Sequence, residues 1–187
     1  MRCSLDSTVV TLAVCLSVAC VSVWAQAPAP YTNVGRAPTQ QEVHDFDIAV
    51  SSTGKGLPPG SGTAKNGAPV FMAKCAPCHG RNLEGTKIDT PNPVAPALVG
   101  GMGTLTSDHP VRTVGSYLPY ATTLWDYINR AMPRGAEHSL KPNEVYLVTA
   151  FILFKNGIIK EDEVMDANTL PKVQMPNRNG FLPSAKY

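Results

Sequence analysis

The chain has 187 residues, 43% hydrophobic and 16% charged, with 17 Pro, 15 Gly and 5 Cys. That suits one globular domain with long irregular segments, and a proline share well above the usual ~5% excludes a chain made mostly of regular helix or sheet. A formal net charge of +2 is too small to argue for nucleic-acid binding, and an odd number of cysteines leaves one thiol over in any exported disulfide scaffold.

Arg2 precedes an apolar run from Val9 to Val23, followed by Trp24-Ala25-Gln26. A basic start, a short apolar core and small residues at the last and third-last positions are the parts of a secretory signal peptide, with cleavage expected after Ala25. A retained membrane anchor is the competing reading, but the run falls short of the roughly 20 apolar residues a span needs. Lipid attachment at Cys20 is a further alternative, although Ser17-Val18-Ala19 lacks the usual leucine. Cleavage removes Cys3, Cys15 and Cys20 and leaves Cys75 and Cys78. Residues 26–60 read as an extended Pro/Gly-rich arm, with Phe46 and Ile48 available to dock on a surface.

Cysteines three apart cannot staple a fold, because so short a loop restricts little of the unfolded chain. Cys75-Ala76-Pro77-Cys78-His79 is instead the C-x-x-C-H sequence of covalent haem attachment. Two thiols a helical turn apart can add to the two vinyl groups of one porphyrin, and His79 then falls under the iron as proximal ligand. A zinc site would want a second ligand pair, which His44, His109 and His138 do not supply by spacing, and a thioredoxin-type pair would want a βαβ context. One motif predicts one haem.

Pro91-Asn-Pro93-Val-Ala-Pro96-Ala-Leu98-Val-Gly100-Gly101 is rigid irregular backbone with free carbonyls. Pro96 is the candidate to accept the ring N–H of His79, fixing its tautomer; an ordinary connecting loop is the competing reading.

Thr122–Ala131 reads as a helix opened by a capping Thr122, with Leu124, Ile128 and Ala131 on one stripe, ended by Met132-Pro133. A second helix starts at Pro142 with Glu144 in its first turn, carries Val145, Val148, Phe151 and Ile152 on one stripe, and closes at Asn156-Gly157. Met132, in a short loop between two packable helices, is the preferred distal iron ligand, and Met175, also followed by proline, is its rival. Met72 reads as core beside Phe71, Met102 and Met165 are weaker candidates, and His109 is the only histidine alternative. Arg112, Arg130, Arg134 and Arg178 could meet the haem propionates, though each is singly an ordinary surface charge. Residues 61–160 are thus read as the haem domain and 161–187 as an extended C-terminal tail.

These residues resemble class I c-type cytochromes, and more closely the cytochrome subunits of bacterial sulfite dehydrogenases and of the related sulfane dehydrogenase of sulfur oxidation. The resemblance runs through Lys74–Gly80, Val111–Pro133, Asn143–Tyr146, Phe151–Leu153, Asn156–Ile159 and Leu170–Phe181. Asn179 departs from the pattern, which has an acidic residue there. The resemblance implies an all-α class I cytochrome c fold with its first helix ending at the haem motif, His/Met iron and a periplasmic location. It also implies a molybdenum-containing sulfite dehydrogenase-like catalytic subunit as electron donor, with a downstream cytochrome or oxidase as acceptor. Carried over by position, Cys75 and Cys78 hold haem c, His79 is proximal and Met132 distal, while the shared Met175-Pro-Asn-Arg block keeps Met175 open. The chain is expected to carry single electrons and not to be catalytic alone. The alternatives are the electron-accepting cytochrome subunit of a quinoprotein alcohol or aldehyde dehydrogenase, and an open-site haem enzyme or sensor.

Overall fold

The computed structural model describes residues 34–86 and 95–182. The expected signal peptide, the cleavage point after Ala25, Cys20, and Pro91 and Pro93 lie outside the described residues. The chain divides into two units, Met1–His44 and Asp45–Tyr187. In the first, Thr39 and Glu42 cap the start of helix α1 (Gln40–Phe46): the Glu42 amide donates to Thr39 Oγ1 at 3.2 Å and the Thr39 amide to Glu42 Oε2 at 2.8 Å. The Arg36 guanidinium, paired with Glu42, and the Thr39 donors hold that carboxyl down at about 2.

The second unit is built on α6 (Pro142–Lys155), which is buried nearly all round through Val145, Tyr146, Val148, Thr149, Ala150, Phe151, Ile152 and Leu153. Its start follows the sequence reading, with proline in the first turn, where an N–H is not needed, and Glu144 Oε2 accepting the Lys141 amide at 2.8 Å. Helix α2 (Ala64–Lys74), capped by Thr63, crosses α6 at Gly67. A Cβ on Gly67 would lie 2.0 Å from the Leu147 carbonyl oxygen, so the two backbones meet with nothing between them. Phe71, one turn on, packs against Phe151 with ring centroids 5.1 Å apart and the rings tilted by 44°. The adjacent Met72 is 36% exposed; a one-residue step turns a side chain about 100° round the helix, so Met72 leaves the core that Phe71 enters.

Helix α5 (Ala121–Ala131) lays Leu124, Trp125 and Ile128 on the same core. Its N-cap is Tyr120 and not Thr122, which is buried inside the first turn. Two short helices, α3 (Ala76–His79) and α4 (Val114–Tyr117), complete the all-α architecture. The only sheet among the described residues is a two-residue antiparallel pair, β1 (Ser61–Gly62) with β2 (Met165–Asp166), in register Ser61 to Asp166 and Gly62 to Met165.

The described part of the tail, residues 161–182, is irregular apart from β2 and one 3₁₀ turn, and it packs on the core. Met165, Leu170, Val173 and Met175 are all buried, and β2 and a 3₁₀ turn at Leu170–Lys172 seat them. Phe46 is 87% exposed and Ile48 is also exposed, while Val50 and Leu57 pack on the core. The Val50 amide donates to Asp126 Oδ1 at 3.1 Å and Tyr146 donates its hydroxyl to the Pro58 carbonyl at 3.0 Å. Burial, with Asp166 nearby, pushes that phenol up to about 12. No helix among the described residues is long and apolar enough to cross a membrane.

Candidate haem site

Helix α2 ends at Lys74, where Lys74 Nζ meets Glu144 Oε1 at 3.1 Å and ties the approach to the haem motif to α6. The chain then winds a second, tight turn. Amides of Cys78 and His79 donate to the Cys75 carbonyl at 3.1 and 2.9 Å, and that of Gly80 to the Ala76 carbonyl at 3.0 Å. Pro77 sits in the first turn of α3, where a helix has no need of its N–H. Cys75 and Cys78 are thereby spaced by one turn and unbonded to each other; Cys75 is half-buried and Cys78 exposed. Burial, reinforced by Cys78, pushes the Cys75 thiol up to about 11.

The segment after the motif folds back beneath it. Gly80 turns the chain with φ +78°, and Leu83 follows in the left-handed region at φ +63°, fully buried. The Gly85 amide donates to the His79 carbonyl at 2.7 Å and the Thr86 hydroxyl to the Cys78 carbonyl at 2.6 Å. A Cβ at Gly85 would sit 2.7–2.8 Å from backbone atoms of Ala95, Pro96 and Ala97, so only glycine lets the two strands of this loop approach so closely. Amide bonds from Thr86 to the Ala95 carbonyl at 3.1 Å and from Leu98 to the Leu83 carbonyl at 2.8 Å close the loop.

This closure brings the Pro96 carbonyl oxygen to 2.9 Å from His79 Nδ1. A carbonyl only accepts, so Nδ1 carries the proton and Nε2 is the basic nitrogen, the tautomer a metal-binding imidazole needs. Met132 caps the end of α5, its amide donating to the Ile128 carbonyl at 3.1 Å, and is half-buried against the core. Met175 is 3% exposed and Met165 wholly buried, whereas Met102 is 55% exposed. His109 is exposed. Of the four arginines, Arg130 is paired with Asp126, Arg178 lies over the Tyr120 ring at 4.3 Å, Arg112 over the Tyr117 ring at 5.6 Å, and Arg134 is exposed.

Residues 64–154 match the family model described as cytochrome c. The chain is also 40% identical to a chain in the crystal structure of the sulfane dehydrogenase SoxCD from Paracoccus pantotrophus, over 82% of this chain and 73% of that one, with a TM-score of 0.73. The chain belongs to the cytochrome c family. No curated protein matches it. It is a class I c-type cytochrome, an electron-transfer protein whose cofactor is one covalently bound haem c. The donor set of this cytochrome fits that group: two unbonded thiols one turn apart, and next to them an imidazole whose Nδ1 is already engaged. Among the described residues, no three His, Cys, Asp or Glu side chains gather into a set for a bare metal ion. Sequence reasoning missed Leu83, Gly85 and Asn156. The positive φ required of a leucine carries no sequence signal, and Asn156 read only as a helix stop.

Proposed function

We propose that this cytochrome is a periplasmic single-electron carrier in which Cys75 and Cys78 hold haem c as thioethers and His79 and Met132 ligate its iron. It takes electrons from a molybdenum-containing dehydrogenase subunit that oxidises sulfite or a related sulfur compound, and passes them to another cytochrome or a terminal oxidase. The observation that carries the site is the 2.9 Å contact between His79 Nδ1 and the Pro96 carbonyl. The 40% identity to a chain of a sulfane dehydrogenase supports the sulfur-compound donor, and the signal-peptide pattern ending at Ala25 supports export.

When bound, the haem supplies one-electron chemistry at its iron. Cys75 and Cys78 fix one edge of the macrocycle to a turn that is itself hydrogen-bonded at both ends. His79 is oriented by Pro96, whose carbonyl takes the Nδ1 proton and leaves Nε2 as the nitrogen that would hold the iron. Burial of Phe71, Leu83 and Leu124 gives the unit an apolar core that disfavours extra charge. Met132 is preferred over Met175 on exposure: a ligand to a large planar cofactor needs a face that the chain itself does not cover, and Met175 has none.

Co-purification with the periplasmic partner tests the donor. Molybdenum in the complex is the expected result; a quinone cofactor with no molybdenum would move the assignment to an alcohol or aldehyde dehydrogenase. A low-spin spectrum is expected of the purified cytochrome, and a high-spin one would point instead to an open-site enzyme or sensor.

A further inference from the structure

The loop that presents the Pro96 carbonyl to His79 is held from outside as well as by its own backbone bonds. Its far side is gripped by Asn156, the residue that closes α6 and is itself buried. Asn156 Nδ2 donates to the Leu98 carbonyl at 3.1 Å and to the Ile152 carbonyl at 2.8 Å, so the two hydrogens of one carboxamide join the loop to the end of the central helix. Leu98 is thereby held at both backbone groups, since its amide donates to the Leu83 carbonyl at 2.8 Å. Two residues upstream stands Pro96.

The other side of the carboxamide is equally constrained. Gly115 packs against it so closely that a Cβ there would lie 2.4 Å from Asn156 Oδ1 and 2.9 Å from Cγ. Gly115 has no positive φ that would itself demand glycine, so the absence of a side chain serves the fit to Asn156. A parallel brace supports the same loop from α4: the Thr113 hydroxyl donates to the Gly100 carbonyl at 2.6 Å.

We infer that Asn156 is a positioning residue for the haem's proximal ligand. Held between Gly115 and Leu98, it fixes where the Pro96 carbonyl stands and hence how strongly that oxygen polarises the His79 ring. A well-placed acceptor on Nδ1 makes Nε2 a better donor to iron and favours the ferric state. Loss of the brace lets the loop relax, weakens the contact and favours the ferrous state. The inference rests on the reading above that His79 binds the iron through Nε2.

The test is an equilibrium redox titration of the purified holoprotein together with NMR exchange of the His79 Nδ1 proton, in wild type, Asn156→Ala, Gly115→Ala and, as a control on the exposed last helical residue, Lys155→Ala. Asn156→Ala and Gly115→Ala should both raise the reduction potential and speed exchange of that proton on the order of tenfold, the weight of one lost hydrogen bond. Lys155→Ala should behave as wild type. Gly115→Ala keeps the asparagine and displaces only its carboxamide, so it decides the matter if Asn156→Ala does not fold. Wild-type potential and exchange in the two variants, with only the melting temperature lowered, would reduce Asn156 to a helix cap and overturn the inference. Unchanged low-spin haem in His79→Ala would instead overturn the ligand reading beneath it.

Discussion

Replacing each of two methionines by alanine separates the ligand from the core. Met175 is 3% exposed within the hydrophobic core, so Met175→Ala removes a fully buried side chain that the surrounding structure cannot fully replace. Such truncations cost about 2–5 kcal/mol, and in a unit of this size each kcal/mol lowers the melting temperature by about 2–4 °C; a midpoint of the order of 10 °C lower is expected. Met132 is only half-buried, and its truncation forfeits about 1 kcal/mol of apolar burial, but it removes the proposed sulfur ligand. The assay is thermal unfolding followed by circular dichroism, paired with the visible spectrum of the ferric protein normalised to haem content. Met132→Ala should lose the long-wavelength sulfur-to-iron charge-transfer band with a small shift in midpoint, and Met175→Ala should keep the band with a large one. The opposite pairing, band lost in Met175→Ala and kept in Met132→Ala, would refute both the ligand assignment and the exposure argument behind it.

Gly67→Ala tests the helix crossing. The 2.0 Å approach to the Leu147 carbonyl forces α2 and α6 apart by about 1 Å or more; overpacking of about 1–3 kcal/mol exceeds the gain of up to about 1 kcal/mol from helix propensity, so the urea midpoint should fall, and an unchanged midpoint would rule out the close crossing. In the haem-free protein at pH 8, alkylation should mark exposed Cys78 well before Cys75, whose thiol at about 11 is only ~10⁻³ ionised; mass spectrometry that finds equal rates would contradict the burial of Cys75, and the holoprotein should show neither site reacting. Glu144 is held below the ordinary carboxylate range first by the Lys141 amide and then, against the opposing effect of burial, by Lys74. Because its folded value lies below its unfolded one, its contribution is complete above the unfolded value near 4.5 and is lost as pH falls through the depressed folded value. Glu144→Gln should flatten the acid side of the stability profile, and an unaltered slope would show that the carboxylate does not matter there.

The haem motif, the two long helices and the Pro96 carbonyl were legible because each is a local device: a fixed spacing, a 3.6-residue stripe, a proline at a helix start, a proline-rich turn beside a histidine. Elements whose cause is distant were not. Pro69 lies inside α2 and breaks the pattern by which that helix would be read from its own residues. The tail reads as irregular because its buried side chains, Met165, Leu170, Val173 and Met175, follow no single period; their burial is dictated by a two-residue strand pair and a 3₁₀ turn. Thr122 has the residue type of an N-cap, yet it is turned into the core by the packing of α5 on α6. The arm's anchors, Val50 and Leu57, are no more apolar than the exposed Phe46; what distinguishes them is distant, the Asp126 carboxylate that takes the Val50 amide and the Tyr146 hydroxyl that holds the Pro58 carbonyl beside Leu57.

The proline excess noted in the composition acquires a physical cause at the site. Single-electron transfer requires that the ligands move little as the iron changes charge, and the carbonyls inside a regular helix point along its axis toward its own amides, not sideways at a neighbouring imidazole. An irregular loop frees carbonyls, at the cost of rigidity. Here that rigidity is restored from outside, by the Leu83 and Leu98 backbone groups, by Gly85 at the narrow point, by Thr113 and by Asn156 at the end of the central helix. The proximal side of the proposed haem is therefore only as stiff as α6, to which Lys74 is also tied through Glu144. Perturbations along α6 far from His79 should register in the reduction potential in proportion to how far they move Leu98, whereas changes of equal destabilising effect on the arm at Val50 or Pro58 should not.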